Sequence, residues 1–351
     1  MYACIFDPSR SELSRSTLGS AALRWGVIGC LVLGVAACGS LGGEGGGDSN
    51  LPTRGVAPYA FWTEAGEELP DPTAEGLRPL LSASEGAGRV SAVSDGAAMW
   101  LYREEGTGST WRLLRHRLLD GWNVGEVEEI IGLPSPPEAS AWQPGVLRDT
   151  LGRWWLVTAG ERLTWYRSTD GRQWTQDGSL PQIEGLTWRS PSPVVRGDER
   201  LVFAVIATGE DAGRVMGWRE GASAWTEIGV VFGGGEGCLN TSGQPAPCWD
   251  RAGVDTLEVR PALTAVGRPL LRMWYSAANS GDVGFAASWD GMTWSRFRYN
   301  PTLRSGRHTL RWPTNAALRG GLYLYVERSA RREETRVIGG RFLGTGATDE
   351  L

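Results

Sequence analysis

Lysine is missing from this sequence. All 35 basic residues are arginine, and against 40 acidic residues they leave a formal charge of -5. Without a basic run or a lysine-bearing phosphate loop, the chain has no means of tracking a phosphate backbone by counterion release, so nucleic acid is excluded as a partner. Histidine is nearly as scarce. His116 and His308 are the two present, too isolated for a histidine-built metal centre, and no Ser/His/Asp constellation is readable around them. Neither metal nor cofactor is expected, and the chain is read as a monomer. Cysteine occurs five times in 351 residues, and the apolar run Trp25 to Ala37 is shorter than the roughly 20 residues that a bilayer-spanning helix requires. Glycine is abundant, with 50 residues, and so is tryptophan, with 18 against 7 phenylalanines. At 41% hydrophobic, the chain can build one large domain with a real core.

The first stretch gives an address rather than a fold. Arg10, Arg15 and Arg24 precede the apolar run and Cys38-Gly39-Ser40 follows it, so residues 1–37 read as a signal peptide. Val35-Ala36-Ala37-Cys38 resembles the bacterial lipobox, which implies that Cys38 is lipidated and becomes the first residue of the mature chain. Each buried CH₂ of the acyl chains contributes about 0.8 kcal/mol to membrane attachment. Gly39 rather than Asp after that cysteine implies the outer membrane of a diderm envelope. An ordinary secretory signal is the alternative reading. Residues 38–56, rich in Gly, Ser and acidic side chains, have little to bury and read as a flexible tether, which leaves 57–351 as the folded domain. Cys4 and Cys30 leave with the signal. In an oxidising compartment the two remaining cysteines, Cys238 and Cys248, are expected to close a disulfide, with two buried free thiols as the alternative.

Beyond the tether one unit recurs. Short leading strands at Arg89–Val93, Pro144–Leu147, Pro193–Val195, Pro261–Ala265 and Thr314–Leu318 are each followed by a strongly apolar strand. Those second strands fall at Met99–Tyr102, Trp154–Val157, Leu201–Ile206, Leu271–Tyr275 and Leu322–Val326. From Trp100 through Trp155, Phe203 and Trp274 to Leu324 the steps are 55, 48, 71 and 50 residues, the long one containing the Cys238 to Cys248 loop. Continuous apolar strands need cover on both sheet faces. Blades stacked around an axis supply it, and a period near 50 fits such an array. The expected fold is all-β, a five-bladed β-propeller, with a β-sandwich as the competing arrangement. Tyr59-Ala60-Phe61-Trp62 lacks a nearby strand partner and is expected to complete the last blade, removing an exposed edge.

Two short segments match each other. Ser168-Thr169-Asp170-Gly171-Arg172-Gln173-Trp174 and Ser288-Trp289-Asp290-Gly291-Met292-Thr293-Trp294 both read S-x-D-G-x-x-W. The Asp-Gly pair supplies the positive φ of a tight hairpin, and the Trp on the return strand is placed for burial. The pattern resembles the Asp box of sialidase-like and related glycoside-hydrolase propellers, in which Asp170 and Asp290 would be structural. Leu271 to Ser276, followed by Gly284 to Trp294, resembles the blade consensus of the five-bladed furanosidase, invertase and glycoside-phosphorylase propellers. The similarity covers most of Trp142 to Phe297, and the outer blades only by pattern.

The resemblance implies three carboxylates at the starts of inner strands, sharing base or nucleophile, acid and pKa-modulating roles. This chain departs from that pattern. Gln143-Pro144, Ser190-Pro191 and Trp312-Pro313 stand where Asp-Pro would be expected, and Glu258 lies one residue farther from Pro261 than the family's acid would. A retained hydrolase would rest on Glu258 with Asp71 or Asp255. Amide and hydroxyl groups cannot replace ionised carboxylates in that chemistry, so the preferred expectation is a funnel that binds a carbohydrate or another envelope ligand without cleaving it. A protein-interaction scaffold is a further alternative. The binding candidates are Trp142, Trp188 and Trp312, beside strand entries with faces expected to be exposed for stacking on sugar rings, together with Gln143 and, as hydrogen-bonding groups at the rim, Arg189, Arg260, Arg311 and Asn315.

Overall fold

The structure, a computed structural model, describes residues 77–83, 89–106, 111–134, 142–235, 244–263, 269–297, 300–330 and 336–345. Cys38, the tether, Tyr59–Trp62, Asp71 and Cys238 lie outside the described residues. Five four-stranded antiparallel sheets make up the described chain. The first blade holds β2 (Val90–Ser94), β3 (Met99–Glu105), β4 (Arg112–Leu118) and β5 (Val124–Glu129). The second holds β6 (Gly145–Arg148), β7 (Trp154–Thr158), β8 (Thr164–Ser168) and β9 (Thr175–Ser179). The third holds β10 (Trp188–Arg196), β11 (Glu199–Ile206), β12 (Val215–Glu220) and β13 (Trp225–Phe232). The fourth holds β14 (Val254–Leu263), β15 (Pro269–Ala277), β16 (Val283–Ser288) and β17 (Ser295–Arg296). In the fifth, β18 (His308–Leu318), β19 (Gly321–Ala330) and β20 (Arg336–Thr345) are joined by β1 (Arg78–Ala83), which pairs with β20. Inner strands β2, β6, β10, β14 and β18 contact one another in turn, and β18 closes on β2. The fold is a five-bladed propeller.

Each gap between neighbouring blades holds its own core. Val93, Trp100 and Tyr102 of the first blade meet Val146, Trp154 and Trp174 of the second, and four equivalent clusters fill the other gaps. This arrangement explains why the second strands are apolar throughout. All five residues of β7 are buried, as are six of the eight in β11, because a blade packs on both faces.

As expected, a strand from ahead of the first blade joins the last one. The outer place beside β20 is taken by Arg78–Ala83. Its sequence, RPLLSA, carries a proline and a bulge near Pro79 and Leu81, both tolerated where a strand pairs on one side only. Three inner strands also start earlier than their prolines suggest, at Trp188, Val254 and His308. An inner strand is an edge strand, so Pro191, Pro193, Pro261 and Pro313 fit inside it without leaving a carbonyl unpaired. Register breaks at Arg189/Ser192 and Arg311/Thr314 absorb the distortion.

The two S-x-D-G-x-x-W turns share one hydrogen-bond set. Ser168 Oγ donates to Asp170 Oδ1 (2.9 Å) and accepts from Gly171 N (2.9 Å), while Arg172 N and Gln173 N both donate to Asp170 Oδ1. Ser288, Asp290, Gly291, Met292 and Thr293 repeat the same contacts. Gly171 and Gly291 have φ of 72° and 80°, and Trp174 and Trp294 are buried. A side chain at Gly171 would collide with the Tyr102 ring hydroxyl and Trp154, because the turn is pressed onto the preceding blade. Tyr102 donates its hydroxyl to Gly171 O (2.8 Å), so the turn fastens one blade to the next. Cys248 is buried.

Candidate functional site

Hydrogen bonds between neighbouring inner strands fix which residues are equivalent around the axis. Ser91 Oγ accepts from Val146 N (3.2 Å), Ser192 Oγ from Val259 N (2.8 Å) and Thr314 Oγ1 from Ala92 N (2.8 Å). One level of the axis therefore comprises Ser91, Gly145, Ser192, Glu258 and Thr314. Gly145 has no room for a side chain, since a Cβ there would lie 2.1 Å from Pro191 O. Two residues upstream, at the leading end of each strand, the level is Arg89, Gln143, Ser190, Thr256 and Trp312. These positions hold the starts of the inner strands, where the resemblance implies carboxylates. Here none is acidic.

Gln143, Ser190 and Trp312 share a further property. Each precedes a proline and has a left-handed backbone, with φ of 46°, 51° and 53°. That conformation costs a non-glycine residue about 1–3 kcal/mol and persists only where its surroundings hold it. A side-chain oxygen from the preceding blade holds each amide. Gln143 N donates to Glu104 Oε1 (2.6 Å), Ser190 N to Gln143 Oε1 (3.1 Å) and Trp312 N to Thr256 Oγ1 (2.8 Å).

Two arginines fill the space between the strands. Arg89, 2% exposed, reaches from the first blade to Ser190 Oγ (3.1 Å) and Leu257 O (3.4 Å), with its guanidinium 5.5 Å from the Trp312 ring centre. Burial lowers its pKa to about 10, against the attraction of Glu258 and Glu104. Arg260 crosses from the fourth blade to Ala92 O (2.6 Å) and Val146 O (3.0 Å), and pairs with Glu258 Oε1 at 2.7 Å. The Glu258 carboxylate is saturated. Thr314 Oγ1 donates to Oε1 (2.6 Å) and Asn315 N to Oε2 (2.8 Å), and the residue is 3% exposed. Glu104 is fully buried, and desolvation raises its carboxyl to about 8 despite the amides and Arg89 around it.

At the rim, Asp255 sits between Arg311 (2.8 Å) and Arg189 (3.7 Å), and Arg189 also donates to Val254 O (3.0 Å). The leading end thus gathers Gln143, Trp312, Arg189, Arg311 and Asp255. Arg260 and Asn315 lie deeper. Trp142 and Trp188 differ from the expectation of exposed stacking faces, for both are buried in inter-blade cores. Trp142 donates Nε1 to Pro134 O (2.9 Å), and Trp188 packs edge-on against Trp218. Arg89, Glu104 and Thr256 escaped the sequence reading. Glu104 lies between Arg103 and Glu105, past the apolar run Met99–Tyr102, so its sequence neighbours do not set it apart. Arg89 and Thr256 lack the proline that marked the other strand starts.

Three donors hold the Glu258 oxygens, Glu104 is sealed from solvent, and Asp255 is ion-paired with two arginines. No protein-family model matches the chain, and no curated protein sequence does. Solved structures do match. The GH43_1 enzyme from Xanthomonas citri in complex with xylose superposes with a TM-score of 0.51 at 12% identity, over 82% of this chain and 93% of that one. A thermostable family-43 glycoside hydrolase gives 0.53 at 12% identity, over 76% and 92%. This is the fold of the family-43 glycoside hydrolases. An α-L-arabinofuranosidase from Podospora anserina in complex with cellotriose shares it, at a TM-score of 0.50 and 10% identity, over 77% of this chain and 95% of that one.

Proposed function

We propose that this glycosidase-like propeller binds a carbohydrate or another envelope ligand without hydrolysing it. The observation that carries the reading is the pair of axial levels. Where the glycosidases resembled by this chain use carboxylates, it places Arg89, Gln143, Ser190, Thr256 and Trp312, with Glu258 paired to Arg260 one level below. Acid and base catalysis needs one free carboxyl on each side of the scissile bond, in different protonation states. Xylose and cellotriose, bound in the matching structures, are first probes within a wider glycan panel. Binding by calorimetry with no released reducing sugar is the expected result. Turnover abolished by Glu258→Gln would replace the reading with a hydrolase using Glu258 and either Asp71 or Asp255.

The address belongs to the same proposal. A lipid on Cys38 would hold the propeller at the outer membrane, with a disulfide between Cys238 and Cys248 stabilising its long loop. Mass spectrometry of membrane-extracted protein is expected to find acylated Cys38. A Cys38→Ser protein that is still secreted, alongside a wild type that begins elsewhere, would leave only ordinary secretion.

A further inference from the structure

The far end of the axis holds a cavity. Each inner strand turns back into its second strand there, and the cavity, of about 700 Å³, lies among those turns, within the range of small-ligand sites. Its polar lining consists chiefly of Asp95, Arg148, Asp149, Arg260, Asn315 and Arg319. The two carboxylates are committed to their own hairpins. Asp95 accepts from Ala97 N, Ala98 N and Trp100 Nε1, and Asp149 accepts from Leu151 N, Arg153 N, Arg153 Nε and Trp155 Nε1. Donors remain in excess. Arg148 makes one long bond to Asp95 O (3.3 Å) and has its Nε unpartnered, and the Nε of Arg260 is unpartnered as well. Arg319 lies on the exposed β18–β19 turn. Asn315 is 1% exposed, and neither its Oδ1 nor its Nδ2 has a hydrogen-bond partner. A buried amide left unpaired at both ends is uncommon, because desolvating it costs free energy that packing alone does not return.

We propose that this cavity binds a small acidic sugar, a polyhydroxylated monocarboxylate of the uronate class. Its carboxylate would take the guanidinium groups of Arg148 and Arg319, and its hydroxyls would pair with the donor and acceptor of the Asn315 amide, with Arg260 as the floor. The assignment rests on the reading of the propeller as a non-hydrolysing binder and adds ligand class and location. Arginine recognises carboxylate through two parallel N–H bonds, and sugar hydroxyls, which both donate and accept, match an amide.

The test is calorimetric titration of the folded propeller with glucuronate, glucose and acetate. Glucuronate is expected to bind at least tenfold more tightly than either of the others. Arg319→Gly removes a guanidinium at a left-handed position, φ 53°, that glycine adopts freely, so folding is retained. Asn315→Asp keeps the shape and opposes the ligand's charge. Each is expected to weaken glucuronate binding at least tenfold, with Arg162→Ala, an exposed arginine paired to Gln182 between β7 and β8, leaving it unchanged. Loss of binding in Arg311→Ala, at the opposite rim, and its retention in Arg319→Gly would overturn the location. No preference for glucuronate over glucose would overturn the ligand class. Either failure leaves the binding reading standing if the neutral glycan panel shows binding without turnover, whereas turnover would refute that reading by itself.

Discussion

Replacing Arg260 with Met tests whether the axis is held by charge. The guanidinium serves three acceptors on three strands, Ala92 O, Val146 O and Glu258 Oε1, with the two side chains 7% and 3% exposed. Methionine keeps much of the aliphatic volume and none of the donors. Breaking one side of a buried ion pair typically costs about 3–5 kcal/mol, since the surviving charge stays desolvated without its partner. Thr314 and Asn315 N still serve Glu258, so the lower half of that range, about 3–4 kcal/mol, is expected. Urea denaturation followed by tryptophan fluorescence reads the loss directly. Adding Glu258→Gln to the Met variant removes the stranded charge, and the double mutant is expected to be more stable than additivity allows by about 1–3 kcal/mol. A single variant within about 0.5 kcal/mol of wild type, the range of ordinary surface changes, would refute the argument. Strict additivity in the double mutant would do so as well.

Glu104 predicts a pH dependence. Its folded carboxyl lies near 8 against an ordinary value of 4.5, so its neutral form costs nothing below about 4.5, and stability falls as pH rises from there toward about 8. Glu104→Gln is expected to flatten that decline in melting temperature measured between pH 5 and 9, and an unchanged slope would count against it. Asp170→Ala and Asp290→Ala each remove two backbone-amide bonds and are expected to cost about 1–2 kcal/mol in denaturation experiments. Although burial opposes it, hydrogen bonding holds both carboxyls below 3.8, so the stability they contribute is present above that value and lost as pH falls through the folded pKa values. The deficit of either variant should therefore shrink in acid. Gly145→Ala would press a Cβ to 2.1 Å from Pro191 O, and expression should give little folded protein; a wild-type melting temperature would contradict the packing described.

The sequence revealed what is local. Each blade's second strand is apolar along its length because two neighbours cover it, and that pattern is visible in Trp154–Val157 without knowing which blades those are. The hairpin turns were legible because Ser, Asp and Gly within four residues make the whole hydrogen-bond set. Closure is legible only in part. A strand from ahead of the first blade does join the last one, but Arg78–Ala83, with two leucines and a proline, carries a weak signal because a strand beside β20 alone packs little and needs few apolar residues. The axis was harder still. Arg260 and Asn315, expected at the rim, lie deeper, and Trp142 and Trp188, expected to expose their faces, lie in cores, because sequence position near a strand start does not say how deep a side chain sits or which face it takes. Arg89 joins residues 101 and 168 positions away, a relation that no window of sequence contains.

Those same separations have a kinetic meaning. Arg89 and Arg260 tie the first blade to the third and fourth, and the fourth to the first and second, so the bonds they make between blades form only once the inner strands surround the axis. Contacts this distant in sequence are made late, after the loop-closure entropy of the intervening chain has been spent. Interactions absent from the transition state for folding act on the unfolding rate alone. The two arginines are therefore latches rather than guides, setting how long the assembled ring lasts and not how fast it forms.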